Sequence, residues 1–347
     1  MKESYEIAQP LLAWYRQNAR DLPWRHTQDP YAIWVSEIML QQTRVAAVLG
    51  YYARFLTALP TVADLAAMDE DKLMKLWQGL GYYSRARNLQ KAAQTVMADH
   101  GGQFPQSVEG LKALAGIGDY TAGAIGSAAF GLQTAAVDGN VLRVVSRLLD
   151  CHHDITLPAT KKEFTAWIEE QLPPAGDDMR QFNQAVMELG ATLCGPNAAP
   201  QCAGCPLQGQ CLAHSRGTAE KLPVKAPKKP RRKEERTVFV LTCNGKVLLR
   251  KRPATGLLAK LWEFPNVEGH MDETAVAQQL QSWGITPVQW QKRLTATHIF
   301  THVEWDMVGY CVEVADVDAL PKSWVWADGA LHDHAVPSAF GRFVETL

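Results

Sequence analysis

Residues 114–140 read LAGIGDYTAGAIGSAAFGLQTAAVDGN. A Leu-x-Gly-Ile-Gly turn carrying Gly116 and Gly118 is followed by a helix of small residues. Then comes a lone carboxylate, Asp138, in Val-Asp-Gly-Asn. The two glycines allow positive φ in a tight hairpin and let backbone N–H groups approach a ligand closely. The next helix is expected from about Asp119, so its N-terminus and the hairpin amides face the same way. Such a surface suits a phosphate. A phosphate grip with a carboxylate about twenty residues later is what a DNA-processing enzyme needs. The alternative is an ordinary helical hairpin with a glycine turn and a capping Asp.

A second cluster could hold a metal. Cys194, Cys202, Cys205 and Cys211 are spaced C-x7-C-x2-C-x5-C. Four thiols on so short a loop point to a metal centre. Spacing does not separate zinc from a four-iron cluster. Zinc ribbons pair two C-x2-C knuckles, and only one occurs here, which tilts the reading towards iron–sulfur. Cys151, Cys243 and Cys311 fit helix or strand cores as small apolar residues.

These residues must be positioned by a sizeable fold. The chain has 347 residues, 47% of them hydrophobic, enough for two domains and against general disorder. Seven cysteines in this length are not a secreted disulfide framework. The start of the chain reads as an amphipathic helix, not a secretion signal. No apolar run is long enough to span a membrane. A cytoplasmic enzyme is the expectation. The net charge of −1 by itself argues against a nucleic-acid partner. Its distribution is more telling. Residues 1–214 balance at −4 and residues 237–347 at −3, whereas residues 215–236 carry nine basic against three acidic side chains. DNA contact outside that stretch would rely on backbone amides, helix ends and a few placed side chains.

Up to about residue 214 apolar residues recur at three and four, as in Val141, Val144, Val145 and Leu148. About ten helices and no strand are expected. Residues 217–236 combine spaced prolines with a charge run and read as an extended linker. Its basic residues suit either phosphate contact or plain solubility. From Thr237 the pattern changes. TVFVLTC and KVLLRKR flank Asn244-Gly245, a hairpin signal. A helix is expected near 272–283, with strands near 287–295, 299–312 and 323–327. Together these make an α+β domain over 237–347.

With these pieces assembled, the chain resembles the helix–hairpin–helix DNA glycosylases with an iron–sulfur loop. Within them it is similar to the adenine DNA glycosylases of the MutY type. The matching segments are LPWR (22–25), WVSEIMLQQTRV (34–45), GLGYYSRARNL (79–89), GGQFP (101–105), LAGIGDYTAGAI (114–125), VDGNVLRV (137–144), FNQAVMELGATLC (182–194) and the cysteine loop. The C-terminal part resembles that family's Nudix-like module through RP (252–253), GLLAKLWEFP (256–265) and HIFTH (298–302). Two features depart from the family. The first cysteine gap is seven residues where six is common, and the recognition tip reads Phe-Thr-His where Phe-Ser-His is frequent.

The resemblance implies a multidomain protein. An all-α catalytic domain would cover 1–216, with the helix–hairpin–helix about 111–130 and the metal loop at 194–211. A Nudix-like domain would cover 237–347. It implies one 4Fe-4S cluster on Cys194, Cys202, Cys205 and Cys211. The substrate would be double-stranded DNA with adenine opposite 8-oxoguanine or guanine, handled by a monomer. N-glycosidic cleavage needs an acid for the leaving base and a negative charge for the oxocarbenium-like sugar. Glu37, among Trp34, Val35, Ile38 and Met39, should have a raised pKa. On its residues alone it could as well be a structural carboxylate; the resemblance assigns it protonation of adenine at N7. It assigns Asp138 the sugar cation, with Asn140 orienting it. Related bifunctional enzymes carry a Schiff-base lysine where Tyr120 stands, so a monofunctional glycosylase is expected. Adenine must leave the stack. Gln42 and Tyr82 match wedge residues, Arg25 and Gln184 match pocket positions, and Phe300, Thr301 and His302 match the reader of 8-oxoguanine. The glutamate cluster of the Nudix metal box is missing after Gly256 and after Gly269, so no hydrolase activity is expected from the C-terminal domain.

Overall fold

A computed structural model of the chain describes residues 6–196, 199–227, 230–317 and 320–347. It divides into two compact units: Met1–Ala67 with Asn88–Pro227, and Met68–Arg87 with Lys228–Leu347. The expectation of one catalytic domain over 1–216 did not foresee that residues 68–87 group with the C-terminal part.

The first unit is helical. Its elements are α1 (Ala8–Asn18), α2 (Pro30–Leu40), α3 (Val45–Ala58) and α4 (Val62–Ala67). After α5 (Glu70–Trp77), which belongs to the second unit, come α6 (Ser84–His100), whose first turn also belongs to it, α7 (Val108–Lys112), α8 (Asp119–Phe130) and α9 (Gly139–Leu148). Then follow α10 (Pro158–Glu169), α11 (Asp177–Thr192) and the short α12 (Leu212–Ser215). Among the described residues up to 216 there is no strand, as expected. No described helix is long and apolar enough to cross a membrane.

Helix α2 starts cleanly because Asp29 caps it, accepting from the backbone N–H groups of Tyr31 and Ala32, with Pro30 at its first position. Residues Tyr31 to Met39 are all buried. A helix apolar on every face is an interior helix, and this one carries Glu37 inward with it. Helix α9 packs Val141, Val144, Val145 and Leu148 into a core shared with α1 and α11.

The structure departs from the extended-linker expectation over 217–236. Ala219 and Leu222 pack with Ala213, and their carbonyls accept from Arg147 Nε. Two apolar residues and one buried arginine thus anchor a segment whose composition suggested extension. Lys228 and Lys229 lie outside the described residues.

The second unit holds a mixed sheet. Its strands are β1 (Arg232–Cys243), β2 (Lys246–Lys251), β3 (Trp262–Glu263), β4 (Asn266–Glu268), β5 (Pro287–Ile299), β6 (Val303–Val314) and β7 (Trp324–Asp328). The order is β3-β2-β1-β6-β5, with β4 on β1 and β7 on β2. Strands β1 and β6 run parallel from Arg232↔Val303 to Thr242↔Glu313; the other pairs are antiparallel. Strand β1 begins five residues inside the expected linker. Because side chains alternate across a sheet, Val238 and Val240 enter one core with Phe340 and Phe343. Phe239 and Leu241 enter the other, against Val276 and Leu280 of α13 (Glu273–Ser282). The expected break near 295–299 is absent: β5 runs to Ile299 and turns into β6 at 300–302, where Phe300 N–H bonds the Val303 carbonyl at 2.8 Å.

Candidate active site

Four elements of the first unit bring carboxylates and their partners together. Tyr120, one residue into α8, donates its hydroxyl to Glu37 Oε2 at 2.7 Å and lies 3.5 Å from Met187 Sδ. Burial pushes the Glu37 carboxyl up to about 7; the Tyr120 bond works against this, nearby Asp138 adds to it and Arg25 opposes it. A carboxyl so placed is protonated for much of the neutral range and can give a proton away.

Asp138 is the N-cap of α9. Its Oδ1 accepts from the N–H groups of Asn140 and Val141, both at 2.8 Å, and its Oδ2 accepts from Asn140 Nδ2 at 2.6 Å. Burial raises the Asp138 carboxyl, while the Val141 and Asn140 donors pull it back. The capping reading and the reading of a held anion therefore coincide in one geometry. Asn140 in turn accepts from Arg143 Nη2 at 2.8 Å, and Arg143 Nε donates to the Cys194 carbonyl at 2.8 Å. The close approach of Asn140 to α11 requires Gly190, where a Cβ would come within 2.7 Å of Asn140 Cβ.

Arg25 sits at the end of a short turn, Pro23–Arg25. Its Nη2 meets Glu188 Oε2 at 2.6 Å, and its guanidinium lies 5.4 Å from the centre of the Tyr15 ring. The Tyr15 hydroxyl donates to Gln184 Oε1 at 2.8 Å. Glu188, Arg20, Tyr15, Arg143 and Arg147 were not foreseen as site residues. The signal was present in part: Glu188 stands four residues after Gln184, hence on the same helical face.

The hairpin expectation needs one correction. Gly116 has φ +76, and a Cβ there would fall 2.7 Å from Asn88 Cβ, so glycine is required. Gly118 has φ −97 and ψ −174, extended backbone that any residue adopts. Nothing lies within 4 Å of a Cβ built on it. Both glycines are exposed at the mouth of α8. Gln42, exposed just beyond α2, takes a left-handed φ of 60.

Cys194, Cys202, Cys205 and Cys211 line one cavity together with Arg147 and His214. None is in a disulfide. Arg147 Nη1 donates to Cys194 Sγ at 3.1 Å. Burial pushes the Cys205 thiol up to about 11. Among the described residues no three His, Cys, Asp or Glu side chains are grouped as a single metal ion would need. Asn197 and Ala198 of this loop lie outside the described residues.

The remaining expected residues lie in the second unit. Thr301 and His302 are exposed on the β5–β6 turn. The hydroxyls of Thr301 and Tyr82 share a hydrogen bond at 2.5 Å, and Tyr82 holds a left-handed φ of 45. Phe300 is half-buried at the same turn. Its ring packs edge-on against Trp305, 4.8 Å between centroids, and against His298, so it anchors the turn from beneath while its two neighbours face outward.

A family model described as HhH-GPD superfamily base excision DNA repair protein matches residues 35–170, and a NUDIX domain model matches residues 237–346. The adenine DNA glycosylase of Homo sapiens is 36% identical over 398 residues, covering 96% of this chain and 72% of that protein. The adenine DNA glycosylase of Rattus norvegicus is 38% identical over 356 residues, covering 85% and 68%. Among solved structures, a thermostable thymine-DNA glycosylase matches with a TM-score of 0.55 at 29% identity, over 60% of this chain and 95% of that one. An endonuclease III–DNA covalent intermediate matches the fold at 23% identity with a TM-score of 0.50. With helices around a Gly hairpin in the first unit and a mixed sheet in the second, the chain belongs to the adenine DNA glycosylase family of the HhH-GPD superfamily.

Proposed function

We propose that this chain excises adenine mispaired with 8-oxoguanine, and with guanine, by hydrolysing the N-glycosidic bond without a lyase step. The observation that carries the reading is the pairing of a buried, near-neutral Glu37 carboxyl with an Asp138 carboxylate held at a helix N-terminus. Glu37 gives its proton to adenine N7. The C1′–N9 bond then breaks with its electron pair leaving on the base. Asp138, oriented by Asn140, stabilises the sugar cation until water adds to C1′. Tyr120 holds Glu37 in place and has no amine to form an imine, which supports a monofunctional enzyme.

The partner is duplex DNA, bound by a monomer. The exposed amides around Gly116 and Gly118 are suited to a backbone phosphate. Gln42 and Tyr82 would support the opened stack. Thr301 and His302, underpinned by Phe300, are suited to reading the orphan base, and residues 237–347 act as a recognition module with no hydrolase activity. One 4Fe-4S cluster on Cys194, Cys202, Cys205 and Cys211 fits a cavity that all four thiols line; when bound it supplies a four-point staple and a one-electron couple. Arg147 supports Cys194 from behind. Metal analysis of protein purified without air should give about four irons per chain and no stoichiometric zinc.

The test of the reading is Asp138→Asn on a duplex with adenine opposite 8-oxoguanine. Loss of excision with retained binding supports it. Undiminished excision contradicts it.

A further inference from the structure

We infer that Glu188 is a positioning residue that fixes Arg25 against the active-site pocket and thereby ties α11 to the acid. The inference rests on the proposed roles of Glu37 and Arg25.

Glu188 is the buried centre of a two-arginine clamp. Its side chain is 0% exposed. Oε1 accepts from Arg20 N and Nε, at 3.1 and 2.7 Å. Oε2 accepts from Arg20 Nη2 at 2.7 Å and from Arg25 Nη2 at 2.6 Å. Burial works to raise this carboxyl, but the two arginines outweigh it and hold it at about 2. It is therefore ionised throughout the working range. A buried ion cluster is a poor source of stability compared with packed apolar groups, so its presence calls for another role.

The two arms of the clamp differ. The Arg20 side chain is 41% exposed and the Arg25 side chain 12%. Arg20 faces solvent, whereas Arg25 lies inward over Tyr15, which bonds Gln184. Gln184, Met187 and Glu188 occupy positions i, i+3 and i+4, one face of α11. Met187 touches the Tyr120 hydroxyl that bonds Glu37. Each of these side chains reaches a residue of the candidate site. The charged and titratable groups that bear on Glu37 are Tyr120 from α8, Asp138 at the start of α9 and Arg25 from the turn. Arg25 lowers the Glu37 pKa. Releasing Arg25 therefore lets Glu37 rise and moves the alkaline limb of excision upward.

The experiment measures single-turnover excision against pH for the wild type, Glu188→Gln, Arg25→Met, the double variant and Arg20→Met. Glu188→Gln should slow the reaction about tenfold and move the alkaline limb up by about half a pH unit. Arg25→Met should do the same, and the double variant should be no worse than Arg25→Met alone. Arg20→Met should lower the melting temperature and leave the limb in place. Glu188→Asp, shorter but charged, should recover part of the rate and serves if the Gln variant folds poorly. Multiplying losses, an unmoved limb, or the same limb shift in Arg20→Met would overturn the inference. A carbon-13 NMR titration of Glu37 in the free protein reads the same shift without catalysis. Absent adenine release by the wild type would thus sink the proposed function, while an unmoved Glu37 midpoint in Glu188→Gln would sink this inference.

Discussion

The Tyr120 hydroxyl donates a 2.7 Å hydrogen bond to Oε2 of Glu37, a carboxyl that burial has raised to about 7. The bond favours the ionised form and so restrains the rise that burial causes. Removing it with Tyr120→Phe should raise the Glu37 pKa further and shift the alkaline limb of excision to higher pH. A limb that stays in place or moves down would contradict this role.

The same raised pKa makes a stability prediction. Folded Glu37 holds its proton up to about 7, whereas unfolded it releases it near 4.3. The folded state therefore binds more protons between these values, and Glu37 lowers stability as pH rises through that window. Glu37→Gln, which cannot ionise, should melt like the wild type at pH 4. At pH 8 it should be more stable by roughly 3–4 kcal/mol. Excision should fall by about a hundredfold or more. Equal melting of the two proteins at pH 8 would show that Glu37 ionises freely.

Capping and catalysis at Asp138 can be separated. Asn is as good an N-cap as Asp, so Asp138→Asn should change stability by less than about 1 kcal/mol while abolishing excision. A melting loss that accounts for the lost activity would return Asp138 to a purely structural role.

The two hairpin glycines should respond differently to alanine. Gly116→Ala meets both a positive φ and Asn88, so it should destabilise by about 1–3 kcal/mol. Gly118→Ala meets nothing in the protein and should leave melting unchanged. It should weaken duplex binding, because the new methyl stands where a phosphate would approach. Unchanged binding by a well-folded Gly118→Ala protein would remove the hairpin from the DNA interface.

The parts of this arrangement legible in the sequence are the local ones. Gly116, Asp119 and Asp138 fall within one short stretch, so turn and cap chemistry foretold their places. Glu37 was marked by the apolar residues around it on its own helix. The Glu188 clamp was not legible, because Arg25 and Glu188 stand 163 residues apart and neither motif announces the other. The packing of Phe300 was not legible for a different reason. Alternation sets the facing of β5 side chains, but it ends at the turn, and only the packing of Trp305 decides that Phe300 points inward. The anchor at Ala219 and Leu222 was hidden by the prolines and charges around it.

The most direct measurement uses a duplex with one adenine opposite 8-oxoguanine under single-turnover conditions, followed by hot alkali and strand resolution. The account predicts an adenine-strand break that appears only after alkali, and no borohydride-trapped complex. A break without alkali accompanied by efficient trapping, or cutting of a thymine-glycol duplex in its place, would contradict it.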